Sequence, residues 1–279
     1  MTRLKAALIV IATFSLSTVF APLRAEESFA KPAEIVEIPL NPLPFVLSGS
    51  LRRPDGEGPF PAVILLPACG HLAGSVDQVW GQALLAWGYV TLTLDVFTPR
   101  GVVGQKTCLY PAPPGLAEDV YRGLNALAAR KFVDQKHVFV VGFGRSGSLV
   151  FAAVERDGVE RTAKRRFRGA IAFYPPGCGA VKGVMTVATL IIAGARDPAL
   201  EACRNLAEGK DDMGISRQPG AGVPIELAIM ADAYAGFDLP MFKKPADVEG
   251  YHIEYSQSAT DQAKETLRQF LQSMVEQHL

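Results

Sequence analysis

Gly144-Arg145-Ser146-Gly147-Ser148 sets a serine among glycines where an apolar run, His137 to Phe143, gives way to a helical pattern, Gly147 to Val154. A serine near such a turn is a candidate acyl-transfer nucleophile if a base takes its proton and an acid fixes the tautomer of the base. The acid candidate is Asp197, just after the apolar run Val187 to Ala193. The base candidate is His71, in the segment that follows Ala62 to Leu66. The other histidines fall elsewhere: His137 starts a strand, His252 lies in an extended stretch and His278 is in the tail. The same residues also have plain structural roles. Ser146 can cap a helix, worth about 1 kcal/mol, Asp197 can do the same, and His71 can simply face water. Gly142, Gly144 and Gly147 match the spacing of a phosphate-cradling loop, but no acidic residue follows at a strand end to hold a ribose, so a nucleotide is not expected.

Cysteine supplies the other reactive groups. Cys69, Cys108, Cys178 and Cys203 show no C-x-x-C spacing, and the four histidines are scattered, so neither a metal nor another cofactor is expected. Four cysteines allow three pairings. Cys69 with Cys108 and Cys178 with Cys203 is the expected set, because each pair joins loops at the same edge of the sheet described next; four unpaired thiols is the alternative.

The elements that must position these groups alternate. After two extended stretches, Glu34 to Leu40 and Phe45 to Arg52, the runs Ala62 to Leu66, Val90 to Val96, His137 to Phe143, Ala170 to Phe173, Val187 to Ala193 and Pro224 to Met230 read as strands buried on both faces. Helical spacing separates them at Val76 to Trp87, Leu116 to Ala129, Gly147 to Val154 and Ala199 to Ala207, and an amphipathic helix closes the chain over Thr260 to Val275. Such alternation predicts an α/β fold with a mostly parallel central sheet, helices on both faces and two antiparallel strands in front. Ligands of such sheets sit beyond the carboxyl ends of the strands.

Composition narrows the classes further. The chain has 279 residues, 49% of them hydrophobic and 20% charged, and 28 Lys plus Arg balance 28 Asp plus Glu. That is globular composition with no basic surplus to grip a nucleic acid, and no repeat is present. Arg3 and Lys5, the apolar run Ala6 to Ala21 and the small residues Ala21 and Ala25 follow the order of a secretory signal peptide. The expected organisation is a signal peptide over 1–25 and a single domain over 26–279. The mature protein would be exported, periplasmic or extracellular, with no membrane attachment after cleavage.

Four motifs occur in one order: Asp95-Val96-Phe97-Thr98-Pro99-Arg100-Gly101, Val141-Gly142-Phe143, Gly194-Ala195-Arg196-Asp197 and Ala233-Tyr234-Ala235-Gly236-Phe237-Asp238. Together they resemble the dienelactone hydrolase family of α/β-hydrolases, over the stretch from Ala62 to Phe270. The resemblance implies an α/β-hydrolase fold with a Cys or Ser nucleophile on a strand-to-helix turn, an acid after a later strand and a histidine after the last. Laid on that pattern without gaps, the acid falls on Asp197, but the nucleophile falls on Gly144 and the base on Ala235. Pro67-Ala68 stands where the family has His-Gly, and Pro67 has no N–H to offer an oxyanion. Arg100 matches the family's Pro-Arg-Gly loop, and Arg145 begins a helix whose positive end favours anions.

The expectation is therefore a catalytically degenerate protein of this type that binds a small anionic or ester-like ligand, such as a carboxylate. The pocket would comprise Pro67, Ala68, Cys69, Arg100, Arg145 and Tyr234. Two alternatives stand beside it: an ester or lactone hydrolase using Ser146 with Asp197 or His71, and a protein-interaction module.

Overall fold

Runs of β-branched and aliphatic residues build the centre of the molecule. The computed structural model describes residues 32–104, 113–210, 222–248 and 251–277. The expected signal peptide and Cys108 lie outside the described residues. An antiparallel pair, Glu34–Pro39 (β1) and Val46–Arg52 (β2), leads into Phe60–Leu66 (β3), Val90–Asp95 (β4), Val133–Phe143 (β5), Gly169–Phe173 (β6), Ala188–Gly194 (β7) and Ile225–Met230 (β8). These eight strands form one sheet in the order β1-β2-β4-β3-β5-β6-β7-β8. β2 runs antiparallel to β4, and every pair from β4 through β8 is parallel.

Helices cover both faces. Ala73–Val76 (α1) and Gln82–Ala86 (α2) follow β3, Leu116–Ala128 (α3) precedes β5, Arg145–Val154 (α4) follows it, Leu200–Ala207 (α5) follows β7, and Gln257–Glu276 (α6) ends the fold. Alternate residues of each strand go to opposite sides. Ile64, Leu66, Leu92, Leu94 and Val140 pack with Val120 and Leu124 of α3 and Val150 of α4. Val63, Leu65, Phe139 and Val141 pack with Trp80, Leu84 of α2, and Leu267 and Leu271 of α6. Two buried faces explain why these strands carry unbroken apolar runs.

The structure departs from the sequence reading at a few places. The spacing from Val76 to Trp87 predicts one helix, but α1 and α2 are separated by a π-helical stretch, Asp77–Gly81. There the buried Asp77 carboxylate accepts from Arg52 Nε at 3.0 Å, Arg52 Nη2 at 2.5 Å and Thr93 Oγ1 at 3.3 Å. The widened turn accommodates a side chain drawn into β2 and β4. β5 starts at Val133 rather than at His137, and α6 begins three residues earlier than expected, where Ser256 Oγ caps Ala259 N–H at 3.3 Å. Ala246–Val248 (β9) and Tyr251–Ile253 (β10) pair antiparallel as a separate two-stranded sheet, of which the sequence reading has only the extended stretch at His252.

Cys178 and Cys203 form a disulfide with Cα atoms 4.9 Å apart, joining the turn after β6 to α5. No described helix is long and apolar enough to cross a membrane.

Candidate functional site

The strand-to-helix turn at the end of β5 is the centre of the site. Gly144 takes φ 53° and ψ −119°, outside the wells open to residues with a side chain, and hands the chain directly to α4. Its N–H donates to the Phe173 carbonyl at 2.9 Å, which ties the turn to β6. The neighbouring glycines serve close packing. A Cβ on Gly142 would stand 2.1 Å from the Ser146 carbonyl oxygen, and one on Gly147 would stand 3.0 Å from Pro175 Cβ. Tight seating of α4 against the sheet thus accounts for the G-x-G-x-x-G spacing without a phosphate.

A Cβ on Gly144 would meet Ala68 Cβ at 3.3 Å and the Tyr174 ring at 3.6 Å. The space above the turn is thus framed by the loop after β3 and the loop after β6. Asp197 is in the loop after β7 and is 6% exposed. Its Oδ1 accepts the Ala199 N–H at 2.8 Å, but its Oδ2 is buried with no hydrogen-bond partner among the described residues. Burial raises the pKa of this carboxyl, and the Ala199 N–H pulls the other way. The Asp197 charge also contributes to raising the pKa of the Tyr174 phenol. Ala235 follows β8 and is bridged in parallel to Ile253 of β10. The loops carrying Asp197 and Ala235 run together, because Arg196 N–H donates to the Ala233 carbonyl at 2.9 Å. The site therefore assembles Gly144, Asp197 and Ala235 on adjoining loops, with an acid but neither nucleophile nor base at those positions.

Ser146 points elsewhere. It is fully buried, its hydroxyl donates to the Pro67 carbonyl at 2.7 Å, and no side chain accepts from the backbone N–H groups at the start of α4 as a cap. His71 is exposed on the short turn Gly70–Leu72. Arg100 is ion-paired with the buried Asp119 of α3, which also pairs with Arg122 at 2.8 Å. Arg145 is half-buried, with its guanidinium 5.6 Å over the Phe97 ring, and burial lowers its pKa. Tyr234 packs against His252 in a tilted arrangement with ring centroids 4.2 Å apart, and Arg196 lies over it at 5.5 Å. Cys69 is buried at the foot of the loop after β3. The described residues contain no cluster of His, Cys, Asp and Glu suited to a metal ion.

Sequence reasoning gave no role to the buried group beneath the site. Asp238 accepts Trp80 Nε1–H at 2.6 Å on one carboxylate oxygen and the Tyr174 hydroxyl at 2.7 Å on the other. Tyr174 itself has φ 37°. Burial, followed by the Asp238 carboxylate, pushes the Tyr174 phenol well above its usual pKa. Burial also raises Asp238, against the lowering effect of its two donors. This network fastens the loop after β8 to the loop after β6 and to the π-helical stretch. The one sequence signal was an aspartate directly after Phe237, in the motif that carries Ala235.

No family model matches the chain, and no curated protein is similar enough to it to be compared. Solved structures are similar. A dienelactone hydrolase from Anabaena variabilis ATCC 29413 superposes with a TM-score of 0.59 at 14% identity, over 86% of this chain and 97% of that one. The esterase Est2 of Thermogutta terrifontis, with butyrate bound, gives 0.60 at 15% identity over 88% and 95% of the two chains. Est1E from Butyrivibrio proteoclasticus gives 0.55 at 13% identity over 87% and 99%. With its sheet order and its turn after β5, the chain has a dienelactone hydrolase-like α/β-hydrolase fold.

Proposed function

We propose that this protein is an exported, non-hydrolytic version of the dienelactone hydrolase-like fold that binds a small anionic or ester-like ligand beyond the strand ends. The observation that carries the reading is the turn itself. Gly144 keeps the strained backbone of a nucleophile-bearing turn without a side chain, while the Asp197 Oδ2 lies buried with no base to hold. A hydrolase of this type needs the hydroxyl or thiol, the imidazole and the acid together. Ser146 is a poor replacement, because its hydroxyl is buried and committed to the Pro67 carbonyl. Export is supported by the Cys178–Cys203 disulfide, which suits an oxidising compartment, and by the leader-like order of residues 1–25. The binding role is supported by Arg145 at the start of α4, where the helix end and the guanidinium both favour negative charge.

The test is turnover of a panel of p-nitrophenyl esters and small lactones by the purified mature protein, with Ser146→Ala in parallel. The expected result is no hydrolysis above buffer for either protein. Turnover that Ser146→Ala removes would replace this reading with that of a working hydrolase.

A further inference from the structure

We infer that the protein docks an acidic polysaccharide in a basic groove between α3 and the segment after α4, a surface that the binding reading above does not involve. Residues 156–168 link α4 to β6 and carry six basic and two acidic residues in a chain of zero net charge. The segment enters β6 at Gly169, at the other end of that strand from Phe173, whose carbonyl holds the turn after β5. A cavity of about 460 Å³ opens between this segment and α3. Glu118, Tyr121 and Asn125 line it from α3, at spacings that share one helix face, and Thr162, Lys164 and Arg165 line it from the segment.

The groove has a fixed frame and open charge. Phe167 is 3% exposed and packs on the Tyr121 ring with centroids 5.3 Å apart, and the Tyr121 hydroxyl donates to the Ala153 carbonyl at 2.9 Å, so the segment is pinned to α3 and α4. Arg166 is ion-paired with Glu160. Arg165 is half-buried, and its Nη1 donates to Asn125 Oδ1 at 3.3 Å, which orients the guanidinium and leaves its remaining N–H groups for a ligand. The side chains of Arg161 and Lys164 are exposed and make no hydrogen bond or ion pair among the described residues. These cations, set against Glu118 as the single carboxylate of the described lining, favour a ligand that repeats negative charge along its length. Asn125 and Thr162 add an amide and a hydroxyl, the natural partners of sugar hydroxyls. A nucleic acid fits less well, because Tyr121 and Phe167 are buried and offer no ring for a base to stack on. A lipid surface also fits less well, because none of the exposed large apolar side chains among the described residues lies in 156–168.

The experiment measures binding of dextran sulfate and polygalacturonate, which separate sulfate from carboxylate as the charged group, beside neutral dextran, a single-stranded DNA and phosphatidylglycerol vesicles. Saturable binding of at least one acidic polysaccharide is expected, weakened by added salt, with no binding of neutral dextran and weaker binding of the DNA and the vesicles. Lys164→Gln combined with Arg165→Gln should weaken polysaccharide binding about tenfold or more. Lys164→Gln alone, which breaks no contact among the described residues, should weaken it about threefold, so the test does not depend on the double variant folding. Glu118→Gln should strengthen it about twofold by removing a like charge. Lys136→Gln with Lys244→Gln, an equal loss of charge at exposed positions elsewhere, should change it by less than about twofold. Absence of saturable polysaccharide binding, equal losses in the two double variants, or tighter binding of the DNA or the vesicles would each overturn the inference. No residue of the turn or of its adjoining loops is altered, so the reading of that site stands or falls separately.

Discussion

Replacing Gly144 by alanine tests whether the turn keeps the geometry of a nucleophile position. The backbone there, φ 53° and ψ −119°, is one that a side chain enters only under strain. Such a residue costs about 1–3 kcal/mol, while removing glycine's freedom in the unfolded chain returns about 0.4–1 kcal/mol. The space itself is nearly adequate: the new methyl would lie 3.3 Å from Ala68 Cβ and 3.6 Å from the Tyr174 ring, so Ala68 need give only a few tenths of an ångström. The net loss should be about 1–2 kcal/mol, or about 2–8 °C in Tm for a domain of this size. Urea denaturation of Gly144→Ala and Gly144→Ser against the parent measures it. Unchanged or increased stability would mean the turn is not strained. A loss beyond about 4 kcal/mol would mean that no side chain fits there, and the site would not be a vacated nucleophile position.

Other consequences can be checked alongside. Burial holds the folded-state pKa of Asp197 above its unfolded value, so the folded protein binds that proton more tightly and loses stability as pH rises through that interval. Asp197→Asn should therefore gain on the parent from about pH 4 upward and show no such gain below it; a gain that grows toward acid would contradict this sign. Trp80→Phe strips one donor from the buried Asp238 carboxylate and should cost about 1–3 kcal/mol, whereas a neutral result in urea denaturation would remove the network's structural role. Cys178→Ala with Cys203→Ala opens a link across 25 residues and should cost about 3 kcal/mol, read as a lower urea midpoint; an unchanged midpoint would refute it. Gly144→Ser combined with Ala235→His supplies both missing groups beside Asp197 and should produce measurable ester hydrolysis, while a folded but inert double variant would count against the alignment of these positions.

The strands were legible because each is a short β-branched run between breakers, and burial on both faces leaves such runs without polar interruption. Gly144 and Ala235 are read as the nucleophile and base positions from their flanking residues, which hold the register on either side of each. Side-chain direction was not. Ser146 is committed to a carbonyl 79 positions away, on the loop after β3, which no local pattern records. Arg100 looked available for an anion, yet its partner Asp119 is on the buried face of α3, and only the packing of that helix brings them together. The π-helical stretch escaped for a similar reason, since it accompanies the pairing of Asp77 with Arg52 on a distant strand. Of the β9–β10 pair only the extended stretch at His252 was read, because three residues per strand are too few for alternation to show.

The central claim is that no activated nucleophile exists in this site. The most direct measurement is intact-mass analysis of the folded mature protein after a fluorophosphonate probe, with Ser146→Ala as control. An unmodified mass for both is the predicted result. A stoichiometric adduct on the parent that is absent from Ser146→Ala would contradict the account.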